Sequence, residues 1–222
     1  MCLQEIKASI EEIPKNFEKK YKNISINSGK RKGFSGTLIY SDESFVSESF
    51  CETVDIVDEG RIIEQHYENI VLFNIYVPNG KMSEKRLELK INFFDKLFIY
   101  CEKLRLEGKS IIICGDFNTA HMDIDLKESK IYNKSGFTNR ERDCIDKFIQ
   151  KGYIDTYRYI HGEKRNSYTW WSYRSNGKLK NEGWRIDYIF VSSDLKNKIS
   201  NAFILDDIKG SDHCPIGIEL KF

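Results

Sequence analysis

The chain has 222 residues, enough to bury one sizeable core without requiring a second. Its net charge is +1 and its apolar and charged fractions are ordinary for a globular protein, so no global positive field advertises nucleic acid. No signal peptide or long apolar span is visible, and the six scattered cysteines, at 2, 51, 101, 114, 144 and 214, show no zinc spacing. A reducing, cytoplasmic (intracellular) setting is expected.

Residues 11–20 predict a short polar helix. The run Gly29-Lys30-Arg31-Lys32-Gly33 is either a local basic face or a solvated turn. A β-rich region opens at Gly36-Thr37-Leu38-Ile39-Tyr40 and continues to Val77. Within it, residues 69–76 read as a buried strand, because Ile70, Val71, Leu72 and Phe73 form an unbroken apolar run. Pro78-Asn79-Gly80 stops it. The strongest helix is predicted over 83–107, with Leu87, Ile91, Phe94, Phe98, Cys101 and Leu104 on one face, Ser83 as N-cap and Gly108 as stop. Ile111-Ile112-Ile113-Cys114 predicts a buried strand ending at Gly115. A second helix is predicted over 138–150, where Thr138 and Glu141 have capping-box spacing. Residues 186–191 and 216–220 predict late strands. Cys101, Cys114 and Cys144, among apolar neighbours, read as small buried hydrophobes. Strand-rich blocks interrupted by two solid helices predict an α+β sandwich, sheets inside and helices outside.

Several residues carry chemistry. Glu5 and Asp116 are hard oxygen ligands suited to Mg²⁺ or Mn²⁺, and Asp116 stands where an apolar strand meets Phe117-Asn118. Near the C-terminus, Gly210-Ser211-Asp212-His213-Cys214-Pro215 sets a carboxylate beside an imidazole. Neighbours on an extended chain point to opposite sides, so Asp212 is not expected to orient His213. Asp187 is the candidate for that task, in the manner of a general acid/base pair. Tyr76 and Asn79 flank Val77-Pro78. The phenol can donate to a phosphate oxygen or, if ionised by a metal, attack or activate water. Asn118 offers an amide to position water or phosphate. The aromatic run Tyr168-Thr169-Trp170-Trp171-Ser172-Tyr173, with Trp184, can receive a sugar or base edge, although Trp171 and Tyr173 read as core. Arg174, Lys178 and Lys180 occupy a polar loop between the aromatics. His66, His121 and His161 read as structural or surface residues.

With Leu3-Gln4-Glu5-Ile6-Lys7, Lys32-Gly33-Phe34-Ser35-Gly36-Thr37, Tyr76-Val77-Pro78-Asn79, Gly115-Asp116-Phe117-Asn118, Gly136-Phe137-Thr138, Gly183-Trp184-Arg185-Ile186-Asp187-Tyr188 and Gly210-Ser211-Asp212-His213 in this order, the chain resembles the exodeoxyribonuclease III and apurinic/apyrimidinic endonuclease family of the exonuclease–endonuclease–phosphatase superfamily. The resemblance implies a four-layer α/β/β/α sandwich of two mixed sheets flanked by helices. It implies a Mg²⁺- (or Mn²⁺-) dependent phosphodiester hydrolase that cuts DNA 5′ to abasic sites and trims 3′ ends. Catalysis would fall to Tyr76, Asp116, Asn118, Asp187 and His213, metal binding to Glu5 and Asp212, and substrate binding to Asn79, Trp170, Trp184 and Arg185. The implied partner is double-stranded DNA containing abasic sites, bound by a monomer with no membrane involvement. The family opens with a strand carrying a Trp-Asn-Val/Ile-Asn-Gly-type motif and then a helix, whereas Met1 falls within the next strand. A single domain over 1–222, truncated at its N-terminus, is therefore expected. An impaired or non-catalytic binder of damaged DNA and another phosphodiesterase of the superfamily stay open as alternatives. Trp170 stands where the family often has Phe.

Overall fold

The computed structural model describes residues 1–14, 20–49, 57–81, 83–127 and 133–222. The chain divides into two compact units, the first made of Met1–Val77 and Asn92–Asp116, the second of Pro78–Ile91 and Phe117–Phe222.

In the first unit, strands β1 (Cys2–Gln4), β2 (Asn23–Asn27) and β3 (Thr37–Ser41) form an antiparallel sheet in the order β1-β3-β2. Strands β4 (Ser47–Ser49), β5 (Ile62–His66), β6 (Ile70–Tyr76) and β7 (Ser110–Asp116) follow one another in a second sheet, antiparallel up to β6 and parallel between β6 and β7. A parallel pair needs a crossover, and helix α1 (Glu84–Leu106) supplies it. The two sheets face each other, β1 and β3 against β6. Val71, Phe73, Ile75, Ile111 and Ile113 share one face of the β6–β7 pair and are fully buried, with Phe73 edge to face against Tyr100 of α1. On the opposite face, towards β1 and β3, Asn74 Nδ2 donates to the carbonyls of Leu3 (3.0 Å) and Leu38 (2.9 Å), and its Oδ1 accepts from Gln4 Nε2 at 2.6 Å.

Both predicted helices form close to the expected bounds. Ser83 Oγ accepts from the Arg86 amide at 3.2 Å, and Gly108, at φ 84°, ends α1. The stripe that α1 buries is Lys90, Phe93, Phe94, Leu97, Cys101 and Leu104. Leu87, Ile91 and Phe98, expected on that face, are only half-buried, because the helix is turned towards Phe93 and Leu97. The polar helix expected over 11–20 is a 3₁₀ turn at Ile10–Glu12, and residues 15–19 lie outside the described residues, as does Cys51. Cys101, Cys114 and Cys144 are buried thiols outside any disulfide.

In the second unit, α2 (Asn139–Gln150) starts from Thr138 with the predicted reciprocal capping. The elements after it are β8 (Ile154–Asp155), α3 (Thr156–His161), β9 (Trp170–Trp171), β10 (Gly183–Trp184), β11 (Asp187–Val191), β12 (Ile199–Ile204) and β13 (Ile216–Leu220). Strands β8 with β11, β9 with β10, and β12 with β13 pair antiparallel, and α3 packs on β11 and β12. Each unit thus has the expected α+β character. No helix among the described residues is long and apolar enough to cross a membrane.

Candidate active site

The first unit presents its candidate residues from strand ends. Tyr76 and Asp116 are partners in the parallel β6–β7 ladder, side by side at the carboxyl ends of two strands. Such ends are where open α/β sheets place their ligands. Gly115 makes the approach possible: at φ 141°, a Cβ there would lie 1.9 Å from the Ile75 carbonyl oxygen. Asp116 is 5% exposed. Glu5 follows β1 in a left-handed conformation, φ 55°, and so does Lys7 at φ 53°. The Ile6 and Lys7 amides donate to Gly36 and Ser35 carbonyls (3.2 and 2.8 Å), fixing this turn. Non-glycine residues held at positive φ concentrate at functional sites.

Burial, then the negative charges of Asp116 and Glu5, push the Tyr76 phenol far above its ordinary value, against the opposing pull of Arg61. Arg61 lies 4.5 Å from the Tyr76 ring centroid and donates to the Tyr76 carbonyl at 2.9 Å, so the ring is clamped on its face and at its backbone. In this setting the phenol is a hydrogen-bond donor. Glu5 and Asp116, both acting on one hydroxyl, bring two hard oxygen donors to one place, which fits a hydrated divalent cation. Among the described residues, no group of three or more His, Cys, Asp or Glu forms a closed metal cage. Lys7 Nζ, 2.9 Å from Glu5 Oε1, is an exposed partner.

The second unit brings together the imidazole and its carboxylate. The Thr169–Trp171 run pairs on one side with β10 and on the other with the Asp212–Cys214 run: the Trp171 amide donates to the Asp212 carbonyl (2.9 Å) and the Cys214 amide to the Thr169 carbonyl (2.8 Å). His213 Nδ1 meets Asp187 Oδ2 at 2.9 Å and Oδ1 at 3.1 Å, while its amide donates to Ser211 Oγ at 3.1 Å. A carboxylate at Nδ1 favours the tautomer with the proton on that nitrogen. Asp212 turns the other way, as the alternation of an extended chain requires, and accepts from Trp170 Nε1 at 2.9 Å. Thr169, fully buried, accepts at Oγ1 from the Ile186 and Asp187 amides, both at 3.1 Å, and so sets the start of β11.

Trp170 and Trp184 are half-buried and meet edge to face, 6.5 Å apart, over Ala120, Leu126, Phe137 and Ile186. Lys81 Nζ lies 5.9 Å from the Trp170 ring. Asn118, at φ 48°, accepts through Oδ1 from Asn79 Nδ2 at 3.1 Å, pairing two of the predicted amides. Trp171 and Tyr168 are buried as core, whereas Tyr173, expected as core, is 68% exposed. His121 meets Asp146 at 2.7 Å, His161 the Ala202 carbonyl at 2.6 Å, and His66 pairs with Glu64.

Arg185 is a correction. Expected to bind substrate, it is 1% exposed, and its guanidinium reaches Asp125 Oδ1 at 2.7 Å and Asp155 Oδ2 at 2.7 Å. Its ring neighbour is Tyr188, 4.4 Å away. Its charge is taken up by these two buried carboxylates. Sequence reasoning missed Thr169 as a support and Lys90 as a buried ion. Thr169 had no local signal, because its partners lie 17 and 18 positions away. Lys90 had one: it stands three and four residues before Phe93 and Phe94, in line with the buried stripe.

The family model described as the endonuclease/exonuclease/phosphatase family matches residues 1–213. An exodeoxyribonuclease of Bacillus subtilis is 35% identical over 218 residues, which cover 97% of this chain and 85% of that protein. A DNA-(apurinic or apyrimidinic site) endonuclease of Dictyostelium discoideum is 40% identical over 223 residues, covering 98% of this chain and 62% of that longer protein. The solved structure of an AP endonuclease from Archaeoglobus fulgidus superposes with a TM-score of 0.86 at 27% identity, covering 100% of this chain and 88% of that one. The chain belongs to the endonuclease/exonuclease/phosphatase family, and within it to the phosphodiester hydrolases of the exonuclease III and AP endonuclease type.

Proposed function

We propose that this protein is a divalent-metal-dependent DNA repair nuclease that hydrolyses the backbone 5′ to an abasic site in duplex DNA, as a monomer, and uses the same chemistry to trim 3′ ends. The observation that carries the reading is the Asp187–His213 pair beside the Trp170–Trp184 edge-to-face wall. An imidazole held by a carboxylate suits a phosphodiester, and an aromatic wall suits a sugar that has lost its base.

Glu5 would hold Mg²⁺ or Mn²⁺, with Asp212 as the second metal-side carboxylate, and a cation bound there would supply charge stabilisation at phosphorus and at the departing oxygen. Asp116 takes the proton of the attacking water, and Asn118 holds that water through its amide. The new bond runs from water oxygen to phosphorus, the bond to the 3′ oxygen breaks, and that oxygen takes a proton from solvent water to leave a 3′ hydroxyl. His213, oriented by Asp187, hydrogen-bonds the scissile phosphate. Tyr76, kept neutral by burial and by Asp116 and Glu5, donates to a phosphate oxygen. Asn79, Trp170 and Trp184 contact the substrate, and a snug aromatic pocket rejects a normal nucleotide by size.

The test is incision of a duplex carrying one tetrahydrofuran abasic analogue, with Mg²⁺ and with EDTA, beside an undamaged duplex and a recessed 3′ end. Metal-dependent incision 5′ to the lesion is expected, and His213→Ala should lower its rate by about 10²–10⁴-fold. Absence of incision, or faster turnover of a lipid head-group phosphodiester or a small nucleotide, would overturn the reading.

A further inference from the structure

We infer that the buried Lys90–Glu141 ion pair is a positioning device for Asn118, an inference that rests on the nuclease role given to Asn118 above. Both side chains are fully buried, with Lys90 Nζ 2.6 Å from Glu141 Oε1. The same ammonium donates to the Asn118 carbonyl at 2.7 Å. Glu141 accepts from the Thr138 amide (3.1 Å) and Thr138 Oγ1 (2.8 Å), which a helix cap explains. It also accepts from the Gly136 amide at 2.9 and 2.8 Å, which a cap does not require. The Gly136 carbonyl in turn accepts from the Ala120 amide at 2.8 Å.

These bonds close a ring: Asn118 carbonyl, Lys90, Glu141, Gly136, Ala120, and back along the chain to Asn118. The ring grips a residue in the left-handed region, φ 48°, from its backbone, while Asn79 grips its side chain at 3.1 Å. Without such a grip a non-glycine residue relaxes to a commoner conformation and carries its amide away. Gly136 is also the floor of the aromatic wall. At φ 88°, a Cβ there would sit 3.1 Å from the Asn118 carbonyl oxygen and 3.2 Å from the Trp184 ring. The ring therefore indexes the amide to the wall. A dry ion pair is a poor way to gain stability, since an apolar pair of equal volume often does as well. What it provides here is a fixed place for three polar backbone groups.

The test compares Lys90→Met, Lys90→Arg, Asn118→Gly and the Lys90→Met/Asn118→Gly double variant on abasic duplex, each checked first for a cooperative melt. Asn118→Gly removes the amide and tolerates the local φ. Lys90→Met should lower kcat by about 10²-fold, the scale of a misplaced group, with KM within about twofold. Lys90→Arg should recover most of the rate. The double variant should be no slower than Asn118→Gly alone, because both changes remove one contribution. Multiplying losses, or Lys90→Met at the wild-type rate, would overturn the inference. If Lys90→Met does not melt cooperatively, the isosteric Glu141→Gln replaces it under the same criteria. If the wild-type chain incises no abasic duplex, the nuclease reading fails by itself. Positioning is then decided by ¹⁵N NMR, where Lys90→Met should shift the Asn118 side-chain amide and the Gly136 amide, and unmoved signals would overturn it.

Discussion

The two units hold their candidate residues in opposite ways. In the first, Tyr76 and Asp116 stand at the ends of seven-residue strands. Their backbones are fixed by ladder hydrogen bonds, and the face they turn away from β1 and β3 is a continuous apolar set. In the second, Asn118, Trp170, Trp184 and His213 come from loops and two-residue strands. Ion pairs are buried there among apolar and aromatic side chains: Arg185 between Asp125 and Asp155, and Lys90 against Glu141. The contrast follows from backbone chemistry. A strand satisfies its own N–H and C=O groups, whereas irregular chain leaves them to side chains. Where the fold abandons regular structure to shape a site, buried charges supply the missing partners.

That contrast can be broken by substitution. Arg185→Met should have the largest effect, because it leaves two buried carboxylates short of their main cation. A loss of about 3–5 kcal/mol in chemical denaturation is expected. A loss below about 1 kcal/mol, the scale of an exposed pair, would show that the buried ion pairs are not what holds the second unit. Asn74→Leu, of similar volume, probes a polar tie between the two sheets of the first unit. It removes the partner of Gln4 Nε2 and the second hydrogen bond at the Leu3 and Leu38 carbonyls, at about 1–3 kcal/mol. If Asn74→Leu proves costlier than Arg185→Met, the ranking of the two interiors is reversed.

The same contrast explains what could be read from the sequence. Ile70-Val71-Leu72-Phe73 and Ile111-Ile112-Ile113-Cys114 announced β6 and β7, because an apolar run reports its own burial. Thr138 and Glu141 announced the start of α2, because a cap is a local device. Asp187 as the partner of His213 was legible by exclusion, since Asp212 had to face the other way. Arg185 was not legible. Its motif suggested contact with substrate, but its partners, Asp125 and Asp155, lie 60 and 30 positions away in the chain. Glu141 was read only as a cap, because nothing local tells of an ammonium 51 positions away. The face of α1 was misplaced for a related reason: a lysine with a buried counter-ion looks polar in any pattern of hydrophobicity.

The smallest effect, and the one most specific to the buried ion pairs, is on the pH dependence of stability. Burial alone would raise the Glu141 carboxyl above its ordinary 4.5, but Lys90 and Thr138 outweigh it and the group sits lower. Burial likewise opposes ionisation of Asp125, and Arg185 and Arg158 bring it below its ordinary 3.8. Both folded values are depressed, so between the folded and unfolded values the unfolded chain binds more protons, and stability there rises with pH. The contribution is complete above the unfolded values and is lost as pH falls through the folded ones. Denaturation midpoints should therefore drop as pH is lowered from about 5 to about 3, the range where unfolded carboxylates take up protons. Glu141→Gln should lower stability near neutral pH yet flatten this acid limb, since one proton uptake has been removed. Asn74→Leu, which removes no titrating group, should shift the whole curve down and leave its slope intact. An unchanged acid limb in Glu141→Gln would mean that Lys90 does not hold this carboxylate ionised.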